Sequence, residues 1–234
     1  MTSVSARLVC ARCHLPQRSC VCALAVPVPH ASPVLVLQHP AEARHAKNTV
    51  RLLALSLAHC EVQVGETFDE AALHAMLWAP GPDGRAVQPV LLYPATPGSM
   101  TGSAPAGTSV GGQQRVTLGT RLVVLDGSWR QSRQLLRRHP GLQALPRLGL
   151  QPAHAGGYEI RRAHAPHQLS TLEAVCLALA EIEGVDPGHG AYAALRASFA
   201  RFVADRQAWA AGKGPKEPLT DSAGAGDGHR PPDA

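Results

Sequence analysis

The sequence predicts an α/β domain with a mostly parallel sheet and flanking helices, and two observations lead there. Short apolar runs near residues 34–38, 61–64, 90–93 and 121–126 alternate with helical patterns, the order expected of parallel strands joined by crossover helices. One run, Leu122-Val123-Val124-Leu125, ends in Asp126 and then Gly127, Ser128 and Trp129 before an amphipathic helix, so an acidic group stands where open parallel sheets present their ligand crevice. A length of 234 residues with 45% hydrophobic content is sufficient for a sizeable core.

Residues 1–26 hold four of the six cysteines with little periodicity, and Pro27 and Pro29 set them apart as a small N-terminal module. The strand at 34–38 passes through the loop HPAEARHAKN into a helix at 49–58, with leucines at 52, 53, 55 and 57. A strand at 61–64, a short helix at 69–77 capped by Asp69, and a strand at 90–93 running into Pro94 follow. From 95 to 119 the composition turns to Gly, Ser, Thr, Pro and Ala, which predicts a poorly ordered loop. The strand at 121–126 leads into its helix, then come a weak strand at 147–150, a His-rich loop, and helices at 171–183 and 191–210. The tail 211–234 has almost no large apolar residue and is expected to be unstructured, leaving 27–210 as the main domain.

The formal charge is +5, and the tail carries three basic and four acidic residues, so the body holds +6. Such a surface modestly favours polyanions without naming one. Arg130, Arg133, Arg137 and Arg138 share one predicted helix, which reads equally as a solvated face. No stretch approaches the ~20 apolar residues of a membrane span, and the first residues lack the order of a signal peptide. A cytosolic location is expected, where close thiols serve metals or redox chemistry more often than disulfides.

Cys10 and Cys13 are separated by two residues and Cys20 and Cys22 by one, with six residues between the pairs. Four thiolates within thirteen positions suit the closed tetrahedral shell of a structural zinc, or another thiophilic metal, and leave no place for water. The competing reading, a redox pair at Cys10 and Cys13, normally opens a helix after a strand, a context not visible here. His14 is superfluous if all four thiolates bind. Cys60 and Cys176 lie in apolar stretches and read as core fillers.

Asp126 can be read simply as a helix cap. Ser128 can take that role instead, which frees Asp126 to accept a proton or steady a cationic ligand. Gly127 permits backbone angles closed to other residues, and Trp129 offers a flat apolar face. A second strand end, Leu37-Gln38-His39-Pro40, leads through Glu42, Lys47, Asn48 and Thr49, placing polar groups at the same sheet edge. Ser170-Thr171-Leu172-Glu173 has the spacing of a capping box; beyond ordinary helix initiation, its amides could hold an anionic group, with Arg161 nearby in sequence.

Four features in order, the C-x-x-C then C-x-C cluster, QHPAEARHAKNT, LDGSW, and YEIRRA with STLEA, resemble the DTW-domain proteins, the bacterial tRNA-uridine aminocarboxypropyltransferases. The similarity covers most of residues 8–205. The name-giving aspartate, threonine and tryptophan stand here as Asp126, Ser128 and Trp129, so the hydroxyl is kept and a methyl lost. The resemblance implies a SPOUT-like domain with a knotted cofactor loop, S-adenosylmethionine as donor, tRNA as partner, and transfer of a 3-amino-3-carboxypropyl group to N3 of a uridine. It further implies Asp126 as base or substrate-orienting group. Gln38, His39, Pro40, Glu42, Lys47, Asn48 and Thr49 would line the cofactor site from the first strand end. Leu125, Gly127, Ser128 and Trp129 would build the pocket, with Arg161, Thr171 and Glu173 closing the other side. The alternatives are an RNA methyltransferase using the same donor and a non-catalytic zinc-containing RNA-binding module.

Overall fold

The computed structural model describes residues 8–45, 48–94, 119–150 and 169–211. The interior strand β1 (Val34–Gln38) is buried along its whole length, as a strand covered on both faces must be. It is flanked in parallel by β2 (Cys60–Val64) and β4 (Gly119–Asp126). Beyond β4 lie β3 (Val87–Leu92) and the two-residue β5 (Arg147–Leu148), giving the order β2-β1-β4-β3-β5, all parallel among the described residues.

Strand alternation sends side chains to two cores. Val34, Val36, Leu122 and Val124 meet α2 (Val50–Ser56), α6 (Thr171–Glu183) and α7 (Gly190–Ala210), where Leu52, Leu53, Val175, Leu179 and Leu195 are fully buried. On the other face, Leu35, Leu37, Leu91 and Val123 pack on α3 (Glu70–Trp78), α4 (Trp129–Arg138) and the residues around α5 (Pro140–Gln143), chiefly Leu73, Leu77, Leu135, Leu136 and Leu142. Burying one such leucine contributes ~2 kcal/mol, so each face is held by several independent contributions.

β1 hands the chain to α2 on one face and then to β2 on one side. β4 hands it to α4 on the opposite face, with β3 and β5 on the other side. The two strands therefore part at their carboxyl ends, the place where open parallel sheets leave a crevice. Gln38 and Asp126 are register partners there.

Asp69 caps α3 as expected, its Oδ1 accepting from the Ala72 amide at 2.9 Å. α6 stops at Gly184, whose left-handed φ of 66° closes the helix. β3 starts at Val87, three residues before the expected 90, because Pro89 masks the pattern. The proline is accommodated since β5 pairs only with Leu91 and Leu92, leaving that side of Pro89 without a partner strand. β4 likewise starts at Gly119 instead of 121. Two one-turn helices were not expected: α1 (Pro40–Ala43) and α5 each begin on a proline at the first position, where no amide donor is needed. The tail from 212 and most of the loop at 95–119 lie outside the described residues. No described helix is long and apolar enough to cross a membrane.

Candidate active site and thiolate cluster

Three separate segments converge on the Asp126 carboxylate. From the neighbouring strand end, Gln38 Nε2 donates to Oδ2 at 2.8 Å. Asn48, just before α2, donates from Nδ2 to the same oxygen at 3.2 Å. Thr171, in the first turn of α6, donates its hydroxyl to Oδ1 at 2.6 Å. Asn48 is itself oriented because its Oδ1 accepts from the Val50 amide at 3.0 Å. A carboxylate offers about four acceptor positions. With two donors on Oδ2 and one on Oδ1, the unused position is on Oδ1, beside the threonine.

The expected placement of Asp126 at the crevice mouth needs refinement, since only 8% of its surface is exposed. It is sunk below the rim and sits among polar partners rather than in the apolar interior. Beside it is a hollow of about 20 Å³, bordered by His39, Gly65, Glu66, Gln131 and Arg138. That space takes one water, not a nucleoside. A much larger cavity of about 410 Å³, lined by Leu73, Leu77, Trp78 and Pro146, lies away from the carboxylate and is mostly apolar.

The turn after β4 is fixed from both sides. Ser128 caps α4 through its hydroxyl, which accepts from the Gln131 amide at 3.4 Å, while Gln131 Oε1 accepts from the Ser128 amide at 2.7 Å. This reciprocal capping box leaves Asp126 unneeded as a cap. It also sets the Gln131 amide so that Nε2 faces His39 Nδ1 at 3.1 Å. Since His39 Nδ1 also accepts from the Ala41 amide at 3.1 Å, the ring proton belongs on Nε2, which points to Glu66 at 3.8 Å.

Gly127 plays a different part from the one expected. The glycines with positive φ among the described residues are Gly84, Gly184 and Gly190, so Gly127 is not needed for its backbone angles. A Cβ there would lie 3.2 Å from Gln131 Cβ and 3.5 Å from His39 Cβ, so what the position requires is close approach.

Of the other expected site residues, Glu173 completes the second capping box, its Oε2 accepting from the Ser170 amide at 2.9 Å and hydroxyl at 2.8 Å. His39 and Pro40 form the start of α1, with Glu42 inside it; Thr49 precedes α2 without a side-chain capping bond. Leu125 borders the hollow, whereas Trp129 does not line it and is half exposed. Lys47 and Arg161 lie outside the described residues. Sequence reasoning missed Gly65 and Glu66, although they follow β2 and the strand-end argument applied equally to it. It also passed over Gln131, the third residue of a capping box.

The four cysteines meet as the spacing suggested. Their sulfurs all lie within 4.8 Å of one another, with Cys10 to Cys22 and Cys13 to Cys20 both at 3.7 Å. A tetrahedral zinc with Zn–S bonds of ~2.3 Å has sulfurs ~3.8 Å apart along each edge, so the donor set and its size fit such an ion. Amide hydrogen bonds from Cys13 and Arg12 pull the Cys10 thiol down to about 6, whereas burial pushes Cys20 and Cys22 up. None of the six cysteines is in a disulfide. The cluster is pinned to the main body: Arg51 donates to the Cys13 carbonyl at 2.8 Å, Arg206 to the Ser19 carbonyl at 2.9 Å, and Val26 to the Ser56 hydroxyl at 3.2 Å. Cys13 and Val21 belong to the same apolar cluster as α2, α6 and α7.

A sequence model described as the DTW domain matches residues 7–207. The chain is 26% identical over 178 residues to tRNA-uridine aminocarboxypropyltransferase 2 of Macaca fascicularis, covering 74% of this chain and 56% of the relative. It is 30% identical over 182 residues to the protein of the same name from Drosophila melanogaster, covering 74% and 66%. The chain thus spans between about half and two thirds of the length of these relatives. No solved structure matches.

Proposed function

The chain belongs to the DTW-domain family, and from that premise we propose that it transfers the 3-amino-3-carboxypropyl group of S-adenosylmethionine to N3 of a uridine in tRNA, releasing methylthioadenosine. The names of the curated relatives support this reading. The observation in this chain that carries it is the Asp126 carboxylate, held by Gln38, Asn48 and Thr171 where β1 and β4 part.

The nucleophile is a weakly acidic ring nitrogen, so it needs a positioned proton acceptor. Asp126 supplies one: through the single water that the adjoining hollow admits, its unused Oδ1 position receives the N3 proton as the N3–Cγ bond forms and the Cγ–S bond of the sulfonium breaks. The sulfur leaves as a neutral thioether and the chemistry needs no metal. The three donors stop the carboxylate from rotating, so its contribution is orientation as much as basicity. Gly127 and the capping box of Ser128 and Gln131 hold the adjoining turn, with His39 behind it. Choice of the aminocarboxypropyl over the methyl group depends on presenting the γ-carbon in line with the nitrogen. The fold-level part of this reading is a SPOUT-like knotted donor site, with Lys47, Arg161, Thr49 and Glu173 among its residues. The cytoplasm is the compartment that suits its tRNA substrate.

We assign zinc to Cys10, Cys13, Cys20 and Cys22, where it would have a structural role, since four thiolates leave no open position for substrate.

The test is to incubate the purified protein with unmodified tRNA and S-adenosylmethionine and weigh the digested nucleosides and the by-product. An aminocarboxypropyl-uridine with methylthioadenosine supports the proposal. A methylated base with S-adenosylhomocysteine makes the protein a methyltransferase, and unchanged tRNA removes the enzymatic reading.

A further inference from the structure

We infer that Trp129 is a stacking platform for a nucleobase of the tRNA, held in place by a ladder of Tyr93 and Arg147; the inference rests on the functional reading above and adds the residues that grip the RNA. Trp129 is 51% exposed, and a lone exposed indole would need no explanation. Its surroundings give it one. Trp129 lies three residues beyond Asp126, in the first turn of α4, where the capping box of Ser128 and Gln131 fixes the backbone. Tyr93 meets it with ring centroids 5.8 Å apart and planes at 77°. Such a perpendicular contact touches one edge or one face and leaves at least one indole face open. Arg147 in turn sits over the Tyr93 ring, its Cζ 5.3 Å from the centroid. Tyr93 is tied to the sheet by its amide, which donates to the Leu148 carbonyl at 3.1 Å. Tyr93 and Trp129 thus follow the carboxyl ends of β3 and β4, the edge that also carries Asp126, and Arg147 opens β5 beside them.

Charge decides what stacks there. From Trp129 onward α4 presents Arg130, Arg133, Arg137 and Arg138 to solvent and contains no acidic residue. An indole followed by a cationic helix face pairs a base-stacking surface with a track for phosphates, the combination used to hold single-stranded nucleic acid. The adenine of the donor would use the indole and have no need of the arginines.

The experiment measures steady-state kinetics for Trp129→Leu, Trp129→Phe, Tyr93→Leu and Tyr93→Phe, varying tRNA and S-adenosylmethionine separately. Trp129→Leu should raise the KM for tRNA about tenfold or more, the scale of one lost base stack, and leave the KM for the donor unchanged. Trp129→Phe should recover most of that loss. Tyr93→Leu should give a smaller rise in the same parameter, rescued by Tyr93→Phe, as befits a positioning residue. A tRNA-induced change in tryptophan fluorescence, present in wild type and absent in Trp129→Phe, reads the contact without turnover, with Trp78 and Trp209 as background. A rise in the donor KM alone would assign the indole to adenine and overturn the inference. An unchanged tRNA KM with unaltered fluorescence quenching would overturn it too. If wild type transfers nothing to tRNA, the functional reading fails first, and quenching by tRNA still decides whether Trp129 meets RNA.

Discussion

The thiolate cluster and the Asp126 site are both built from four polar side chains, yet they are assembled in opposite ways. Cys10, Cys13, Cys20 and Cys22 come from one stretch of thirteen residues. Asp126, Gln38, Asn48 and Thr171 come from β4, the end of β1, the approach to α2 and the start of α6, with Thr171 45 residues and Gln38 88 residues from the aspartate. A thiolate site on so short a segment would owe much of its order to a bound ion, beside the seat that Cys13 and Val21 take in the core. A dispersed site needs no ion, because strand register and two buried cores already fix its members. The first is expected to fail by losing a ligand, the second by losing a charge or a donor while the fold persists.

Asp126→Asn should show the largest separation between chemistry and fold. The amide can turn so that its oxygen accepts from Gln38 and Asn48 while its nitrogen donates to Thr171, whose hydroxyl can accept. Transfer should fall by about 10²- to 10⁴-fold with the melting temperature little changed. Full activity in this variant would remove the proton-acceptor role. Next come Cys10→Ser and Cys20→Ser, which should lower bound zinc and thermal stability together; unchanged metal stoichiometry by elemental analysis would detach the cluster from any ion. Thiol labelling at pH 8 sharpens the same point. Burial pushes Cys60 and Cys176 up to about 12, so at pH 8 only about one in 10⁴ of each is thiolate. Their thiolate rises only as pH climbs toward that value. After chelation, labelling should therefore spare Cys60 and Cys176, and every labelled thiol should map to the cluster by mass.

Asn48→Ala should cost about 1–3 kcal/mol by equilibrium denaturation, since it leaves the Val50 amide without its acceptor and Asp126 without one donor. A neutral result would show that water replaces the amide. The smallest effect belongs to Gly127→Ala, at about 1 kcal/mol, because the added methyl presses on the Gln131 side chain, which can shift.

These differences also explain what was legible in the sequence. The cysteine cluster could be read from spacing because its members are neighbours along the chain. Alternation of strand and helix gave the parallel sheet, and Asp126, Gln38, Asn48 and Thr171 were each singled out from local patterns. Their meeting on one carboxylate depended on the pairing of Gln38 with Asp126, which spacing does not encode. Gly127 was assigned to the wrong cause because a glycine after a strand looks the same whether it serves an angle or an approach. The contact between His39 and Gln131 spans 92 residues and had no local signal. Nor would size have pointed to the site, since the roomier cavity lies elsewhere.

The attachment of the cysteine segment to both α2 and α7 has a mechanical consequence. Arg206 reaches the Ser19 carbonyl and Ser198 reaches Leu24, so the last described helix is buckled to a loop near residue 20. Withdrawing the proposed zinc would then slacken a strap around the sheet's back, and amide exchange in α7 should quicken while that in β1 and β4 stays slow.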